Sequence, residues 1–205
     1  MKVFFIRHGE SEANVLNEFS NTGWKHGLTA KGIEQARTLG GKFQDMEVSR
    51  IYTSPLKRAV QTADLLAEAT GADYAIRDGL REFNTGITEG KSDPASWELW
   101  QKVIDSWILK GLWDERIEGG ESFNDMRARF LPFLDRTISE YSPLSANLIL
   151  VGHGGLFYCM LPLVLTNIRR SELHIWGFPN TGYVLAEARP DGLACLEWCG
   201  NKISS

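Results

Sequence analysis

Short apolar runs alternate with segments of helical periodicity along most of this chain. Each run is bounded by polar or turn-forming residues, a pattern typical of buried strands. The predicted strands are Val3–Ile6, Ile51–Thr53, Tyr74–Ile76, Leu148–Val151, Thr181–Ala186 and Ala194–Trp198.

The segments between the predicted strands carry helix start signals. Thr29 is a predicted N-cap for a helix that ends near Phe43. Ser54-Pro55 predicts an N-cap followed by proline at the first helical position, with the helix ending near Ala69. This alternation predicts an α/β fold with a mostly parallel central sheet and helices on both faces.

A later helix is predicted between Ser122 and Tyr141. Asp125 stands three residues after Ser122, in the position that Glu usually takes in a capping box. Pro132 falls inside the segment and is expected to bend or break the helix.

Residues 91–120 interrupt the strand–helix alternation. We predict one domain over residues 1–205, with residues 91–120 as a helical, cap-like excursion beside or over the site. An ordinary core helix is the alternative, because buried aromatic residues are common. Four of the seven tryptophans lie in this stretch: Trp97, Trp100, Trp107 and Trp113.

Composition narrows the class of protein. The chain has 205 residues, 43% hydrophobic and 23% charged, which indicates a globular protein rather than a disordered one. A net charge of −4 argues against a nucleic-acid partner, since such proteins usually carry a basic surplus. The opening apolar run is too short for a signal peptide, and no run reaches the ~18 residues of a membrane span. We therefore expect a soluble cytoplasmic protein that binds neither nucleic acid nor membrane.

The cysteines offer little support for a disulfide framework or a metal site. There are three, Cys159, Cys195 and Cys199, and no secretory signal accompanies them. Cys195 and Cys199 resemble half of a metal site, but no second Cys/His pair lies nearby in the sequence. We expect no metal.

Groups suited to phosphate chemistry follow several of the predicted strands. Arg7 and His8 follow the first strand, Arg58 follows the second, and His153 follows Leu148–Val151. The carboxyl ends of parallel strands lie on one edge of a sheet, so these groups are expected to converge. Glu82 follows the Tyr74–Ile76 strand and is expected to reach the same edge.

These residue types form a consistent set for phosphoryl transfer. Two guanidinium groups can hold a phosphate bidentately and offset its charge. One imidazole can attack phosphorus, and a second, protonated imidazole can stabilise the developing charge. A carboxylic acid can protonate the leaving alkoxide and then accept a proton from water. The set requires no metal and no cofactor.

The motif Arg7-His8-Gly9-Glu10 resembles the signature of the histidine phosphatase superfamily, which includes cofactor-dependent phosphoglycerate mutases. Further elements resemble that family in the family's order. These are Thr22-Gly23-Trp24, Leu28-Thr29-Ala30-Lys31-Gly32, Ser54-Pro55-Leu56-Lys57-Arg58-Ala59-Val60-Gln61-Thr62-Ala63, Gly119-Gly120-Glu121-Ser122 and Val151-Gly152-His153-Gly154-Gly155.

The resemblance implies a phosphoglycerate mutase-like fold and assigns roles to individual residues. It implies that His8 becomes a phosphohistidine, that His153 assists and that Glu82 donates the proton. The acid-phosphatase branch has Asp directly after its second His, and this chain has Gly154 there, which favours Glu82 as the donor. The implied phosphate-binding residues are Arg7, Asn14, Gly23, Arg58 and Gly154, together with His153.

Departures from the family favour a phosphatase over a mutase. Mutases usually follow the acid with Arg and then Tyr, and here Phe83 and Thr85 stand in those places. Thr22-Gly23-Trp24 favours the mutase. We predict a metal-independent phosphomonoesterase acting on a small phosphorylated metabolite. The alternatives are a phosphoglycerate mutase-type phosphotransferase and a non-catalytic phospho-ligand binder, and monomer or dimer is left open.

Two other histidines are predicted to be outside the chemistry. His26 stands where the family often has Asp and is interpreted as a surface or rim residue. His174 lies far from every motif glycine and is interpreted as a core or surface residue.

Overall fold

A seven-stranded sheet forms the centre of the structure, a computed structural model that describes residues 1–142, 146–168 and 178–203. The spatial order of the strands is β3-β2-β4-β1-β5-β6-β7. The strands are β1 (Lys2–Arg7), β2 (Arg50–Thr53), β3 (Tyr74–Ile76), β4 (Asn147–Gly152), β5 (Tyr183–Arg189), β6 (Gly192–Trp198) and β7 (Asn201–Lys202).

Four neighbouring strands of this sheet are parallel. β2 pairs in parallel with both β3 and β4, and β4 pairs in parallel with β1. β5, β6 and β7 add an antiparallel portion beside β1. The sheet confirms the predicted α/β class, and its register matters for function. Arg7 pairs with Gly152 and Thr53 pairs with Val151, so β1, β2 and β4 end at one edge.

The two faces of the sheet are buried under different helices. α2 (Ala30–Phe43) and α3 (Lys57–Thr70) cover the face that carries Phe4 and Ile6. α4 (Pro94–Lys110), α5 (Phe123–Tyr141) and α6 (Gly154–Met160) contribute to the core on the face that carries Phe5. Successive residues of a strand point to opposite faces, so a continuous apolar run is needed where both faces are covered.

The predicted caps of two helices are confirmed. The Thr29 hydroxyl accepts from the backbone N–H of Gly32 at 3.0 Å and begins α2. Ser122 and Asp125 form a reciprocal capping box that begins α5. α5 continues through Pro132 to Tyr141, so the predicted break at this proline is absent.

The start of α3 differs from the prediction. α3 begins at Lys57, and its N-cap is Leu56, which supplies no side-chain hydrogen bond. The Ser54 hydroxyl accepts from the N–H of Leu56 at 3.2 Å but lies before the helix. A serine cap was therefore the wrong interpretation of Ser54, whose hydroxyl is engaged elsewhere, as described below.

Three short 3₁₀ turns and one short helix complete the described elements. The turns cover Asp78–Leu80, Gly86–Thr88 and Leu161–Leu163, and α1 covers Glu12–Leu16. None of the helices in the described ranges is long and apolar enough to cross a bilayer.

Candidate active site

A cavity of about 460 Å³ opens at the edge of the sheet where the parallel strands end. It collects most of the residues that the sequence nominates for phosphate chemistry. His153 is fully buried next to it, with its ring centroid 5.0 Å from that of His8. The predicted residues that line the cavity are Arg7, His8, Asn14, Arg58, Glu82 and Gly154.

The hydrogen bonds of His8 determine which ring nitrogen is free to react. Nδ1 lies 2.6 Å from the carbonyl oxygen of Gly9, which can only accept, so Nδ1 carries the proton. Nε2 accepts from Nε of Arg58 at 3.0 Å and is therefore unprotonated. Burial, reinforced by Arg58 and Arg7, holds the pKa of His8 well below its ordinary value. The imidazole is neutral at physiological pH, as a nucleophile must be.

Gly9 packs so closely against α2 that a side chain would not fit. A Cβ at Gly9 would lie 2.5 Å from the carbonyl oxygen of Gly32, on the first turn of α2. The backbone of Gly9 also donates to the Thr62 hydroxyl at 3.1 Å. Close packing against α2 and α3 therefore holds the carbonyl that orients His8.

Two arginines provide the positive charge of the cavity. Arg58 donates from Nη1 to the Ser20 carbonyl at 2.6 Å, and burial lowers its pKa to about 10, which leaves it charged at neutral pH. Arg7 donates from Nη1 to the Phe178 carbonyl at 2.6 Å. Within the described residues, Nε of Arg7 is buried without a hydrogen-bond partner. Buried guanidinium donors of this kind suit an anionic ligand.

His153 is held between Arg58 and Ser54. Nη2 of Arg58, which can only donate, lies 3.5 Å from Nδ1, so Nε2 carries the proton toward the Ser54 hydroxyl at 2.7 Å. Burial, then Arg58 and His8, lower the pKa of His153 well below its ordinary value. The ring is therefore neutral in the free site, contrary to the predicted protonated form. A phosphate dianion would favour the charged form again, because an opposite charge raises the pKa of an imidazole.

Ser54 is a site residue that sequence reasoning missed. Its motif position was visible, but it was interpreted only as a helix cap. We expect Ser54→Ala to lower kcat about tenfold and the free energy of unfolding by ~1–3 kcal/mol, because it leaves a buried imidazole N–H unsatisfied. Denaturant unfolding and steady-state kinetics measure both effects. Ser96→Ala is the matched control, since that buried hydroxyl bonds Asp93 outside the cavity and should affect stability alone. Unchanged kcat in Ser54→Ala would contradict this role.

Glu82 is buried on the cavity wall, and its environment favours the protonated acid. Its Oε1 accepts from the N–H of Phe83 at 3.1 Å, and Oε2 accepts from the N–H of Gly155 at 2.9 Å. A Cβ at Gly155 would lie 2.9 Å from Oε2, so only glycine permits this approach. Burial raises the pKa of Glu82, despite these two bonds and the nearby Arg58, which oppose the rise. A raised pKa is the property that a general acid needs near neutral pH.

Two other carboxylates near the site are already committed to structure. Glu10 accepts from the Thr29 hydroxyl at 2.9 Å and from Lys31 at 2.7 Å. Glu89 accepts from the backbone N–H groups of Asn21 and Thr22, each at 3.0 Å, and from the Thr22 hydroxyl at 2.9 Å. Glu89 thus holds the loop whose Ser20 carbonyl receives Arg58. Neither carboxylate matches Glu82 as a candidate acid.

Asn14 lies in the cavity lining, whereas Gly23 does not. The Asn14 amide oxygen accepts from the backbone N–H of Ser11 and from Nδ2 of Asn180, both at 3.1 Å. Asn180 also donates to the His8 carbonyl at 3.1 Å and was not predicted from sequence. Gly23 is exposed at φ 70° and does not line the cavity, contrary to its predicted phosphate contact. Glu89 binds the two preceding residues and directs Gly23 toward solvent.

The structure corrects the interpretation of His26 as a surface residue. His26 is 7% exposed, so it is not a surface residue. Its Nε2 lies 3.0 Å from Oε1 of Glu18, and its Nδ1 lies 3.6 Å from Glu12. The sequence alone did not show that Glu12 and Glu18 lie next to the His26 ring. His174 lies outside the described residues.

The tryptophan-rich stretch has both of the roles considered from sequence. Trp97 and Trp100, on α4, line the cavity. Trp107, two turns further along, is fully buried in the core. Trp113 lies beyond the helix and packs on Phe123, with ring centroids 4.7 Å apart. One part of the excursion therefore forms the cavity wall and the rest anchors that wall to the core.

No group of three or more metal-binding side chains is found in residues 1–142, 146–168 and 178–203. Cys159 and Cys195 are buried, and Cys199 is partly buried. Burial raises the pKa of Cys195 to about 12 and that of Cys199 to about 11, so both thiols are protonated at neutral pH. Metal binding and nucleophilic chemistry both require the thiolate.

The cavity brings together a neutral histidine, two arginines and a buried carboxyl group. The sequence profile of the histidine phosphatase superfamily (branch 1) matches residues 3–201. The chain belongs to this family, which confirms the resemblance seen in its motifs.

Relatives in sequence include proteins named as probable phosphoglycerate mutases. The chain is 31% identical over 157 residues to the probable phosphoglycerate mutase GpmB of Erwinia tasmaniensis, covering 75% of this chain and 70% of that one. It is 29% identical over 168 residues to the protein of that name from Salmonella choleraesuis, covering 80% and 75%.

Solved structures confirm the phosphoglycerate mutase-like fold. The alpha-ribazole phosphatase of Shigella flexneri superimposes with a TM-score of 0.80 at 24% identity, covering 100% of this chain and 99% of that one. The phosphoglycerate mutase of Bacillus anthracis gives a TM-score of 0.79 at 21% identity, covering 98% and 93%. At these identities the likeness extends to the fold and leaves the substrate open.

Proposed function

We propose that this protein is a phosphomonoesterase that works through a phosphohistidine on His8. One observation carries the proposal: Nδ1 of His8 donates to Gly9, so the unprotonated Nε2 is the nitrogen that faces Arg58 in the cavity. Glu82 lines the same cavity as a buried carboxyl whose pKa is raised. A candidate nucleophile, two cationic side chains and a candidate acid thus line one cavity.

In the first step, Nε2 of His8 attacks phosphorus while the ester oxygen leaves. The P–O bond to the alcohol breaks as the N–P bond forms, and protonated Glu82 gives its proton to the departing oxygen. Arg7 and Arg58 bind the non-bridging oxygens and offset their charge. In the free site, Nε of Arg58 donates to Nε2 of His8 at 3.0 Å. When the dianion binds, Nε of Arg58 donates to the phosphate instead and leaves Nε2 of His8 free.

In the second step, water replaces the histidine on phosphorus. Glu82, now a carboxylate, accepts a proton from the water as its oxygen attacks, and the N–P bond breaks. His8 is regenerated, inorganic phosphate leaves, and Glu82 is again protonated. The bond from Nδ1 to Gly9 keeps the ring in one orientation through both steps.

We expect full activity in the presence of a chelator. The two arginines and His153 supply the charge compensation that a divalent cation supplies in metal-dependent phosphatases. Release of phosphate from an aryl phosphate, measured with and without EDTA, tests this expectation. Loss of activity in EDTA that a divalent metal restores would contradict the metal-free mechanism.

A mutase is the second candidate, and the relatives named probable phosphoglycerate mutase favour it. Phosphatase and mutase activities are distinguished by where the phosphoryl group goes. With 3-phosphoglycerate and a trace of 2,3-bisphosphoglycerate, a phosphatase releases phosphate, whereas a mutase forms 2-phosphoglycerate. A protein that binds these esters but transfers nothing would be a phospho-ligand binder instead.

A further inference from the structure

The cavity lining combines two chemically different sets of side chains. The first set, which we call the phosphoryl pole, consists of Arg7, His8, Arg58 and Glu82. Aromatic side chains dominate the rest of the lining, and we call them the aromatic wall. Its members are Phe19, Phe83, Trp97, Trp100, Tyr158 and Phe178.

Much of the aromatic wall is a connected array of rings. Phe19 and Trp97 have centroids 4.2 Å apart, and Trp97 and Trp100 have centroids 5.6 Å apart. Phe83 packs near Trp100 at 6.4 Å and against the fully buried Trp107 at 5.4 Å. The wall is therefore fixed to the core before any ligand arrives. A ring that enters loses little affinity to reordering of the protein.

The wall offers no positive charge to a ligand. Among the described residues that line the cavity, the Lys and Arg side chains are Arg7 and Arg58, both at the phosphoryl pole. The charged lining residue away from that pole is Glu18. Lys25 at 2.6 Å and His26 at 3.0 Å bond its carboxylate and lower its pKa, so it is ionised. A second anionic group on a substrate would find no cation among the described lining residues there and would approach Glu18, with which the nearby Lys25 is already paired.

We propose that the substrate is a phosphomonoester whose alcohol part is aromatic and carries no negative charge. Trp97 and Trp100 contact its ring, and Glu18 disfavours esters that carry a carboxylate. This inference rests on the proposed phosphatase function and narrows it to a substrate class. Since the phosphoryl group would occupy both arginines, we expect the site to disfavour phosphoglycerates.

Three primary alkyl phosphates with similar leaving alkoxides test the substrate class. They are 2-phenylethyl phosphate, propyl phosphate and 3-(phosphonooxy)propanoate, each followed by release of inorganic phosphate. We expect kcat/KM for the phenylethyl ester to exceed that for the propyl ester about tenfold or more, because aromatic contact adds to apolar burial. We expect the carboxylate ester to fall about tenfold below the propyl ester, from uncompensated charge near Glu18.

Variants of the wall assign the preference to named residues. Trp100→Ala should reduce the phenylethyl-to-propyl ratio about fivefold or more, and Trp100→Phe should retain most of it. Trp24→Ala is the matched control: Trp24 is 56% exposed and does not line the cavity, so ratio and activity should stay unchanged. Glu18→Gln should raise kcat/KM for the carboxylate ester severalfold relative to kcat/KM for the propyl ester.

The possible results distinguish failure of the proposed substrate class from failure of the proposed phosphatase function. Equal kcat/KM for the three esters would overturn the substrate class and leave the phosphatase intact. Absence of both phosphate release and phosphoenzyme with every ester would overturn the proposed function and this inference with it. If circular dichroism shows that Trp100→Ala is unfolded, the ratios in Trp100→Phe and Glu18→Gln decide, and wild-type ratios in both would overturn the assignment.

Discussion

Replacing His8 with Ala should abolish turnover and phosphoenzyme formation together. The variant lacks the nitrogen that attacks phosphorus, and the neighbouring imidazole of His153 is buried beside the cavity without lining it. We expect kcat to fall on the order of 10⁴-fold or more, as is usual when a covalent nucleophile is removed. Incubation with a radiolabelled ester followed by denaturing quench measures the covalent phosphate directly.

The stability of the trapped phosphoenzyme identifies the bond. A phosphorus–nitrogen bond should be acid-labile and alkali-stable, unlike a phosphoserine or an aspartyl phosphate. His26→Gln is the matched control, since His26 is buried outside the cavity lining and its replacement should leave the label in place. Covalent phosphate on a serine or an aspartate in the wild-type protein would refute the mechanism.

Replacing Glu82 with Gln should produce a loss of activity that depends on the leaving group. Alkyl esters need a proton on the departing oxygen, so we expect their phosphorylation rate to fall about 10²–10⁴-fold. Activated aryl phosphates should lose much less in the phosphorylation step, because their leaving groups need little protonation. Single-turnover rates across a leaving-group series measure this step apart from hydrolysis of the phosphoenzyme.

The pH dependence of the same step provides a second readout. Burial raises the pKa of Glu82, so its protonated form persists to higher pH than that of an ordinary Glu. The phosphorylation rate for alkyl esters should therefore fall as pH rises through this raised pKa. Gln does not titrate, so Glu82→Gln should lack that fall. An equal deficit for good and poor leaving groups would contradict the role of Glu82 as acid.

The protonation states of the two site histidines are expected to depend on whether a phosphate is bound. His8 and His153 are both neutral there, because each is buried close to the positive charges of Arg58 and Arg7. In the proposed mechanism, a phosphate dianion reverses the sign of that environment, which favours a proton on His153 and releases Nε2 of His8 from Arg58. In that mechanism the same two arginines keep the nucleophile unprotonated before binding and stabilise the transferring group afterwards.

The sequence by itself determined the fold class, the family and most of the reacting groups. Strands covered on both faces require continuous apolar runs, and such runs are visible without a structure. Caps such as Thr29 and Ser122 act on groups three residues away, so they are equally local. Arg7 ends β1, His8 and His153 directly follow β1 and β4, and Arg58 lies in the first turn of the helix after β2. A parallel sheet brings such positions to one edge.

Only the tertiary structure decided how these groups are used. Glu10, Glu82 and Glu89 are alike in the sequence, but burial raises the pKa of Glu82, whereas the carboxylates of Glu10 and Glu89 bind structural donors. Ser54 resembles a helix cap until β4 brings the His153 ring to its hydroxyl. Protonation and hydrogen bonding depend on neighbours distant in the chain, and a linear pattern does not record which neighbours those are.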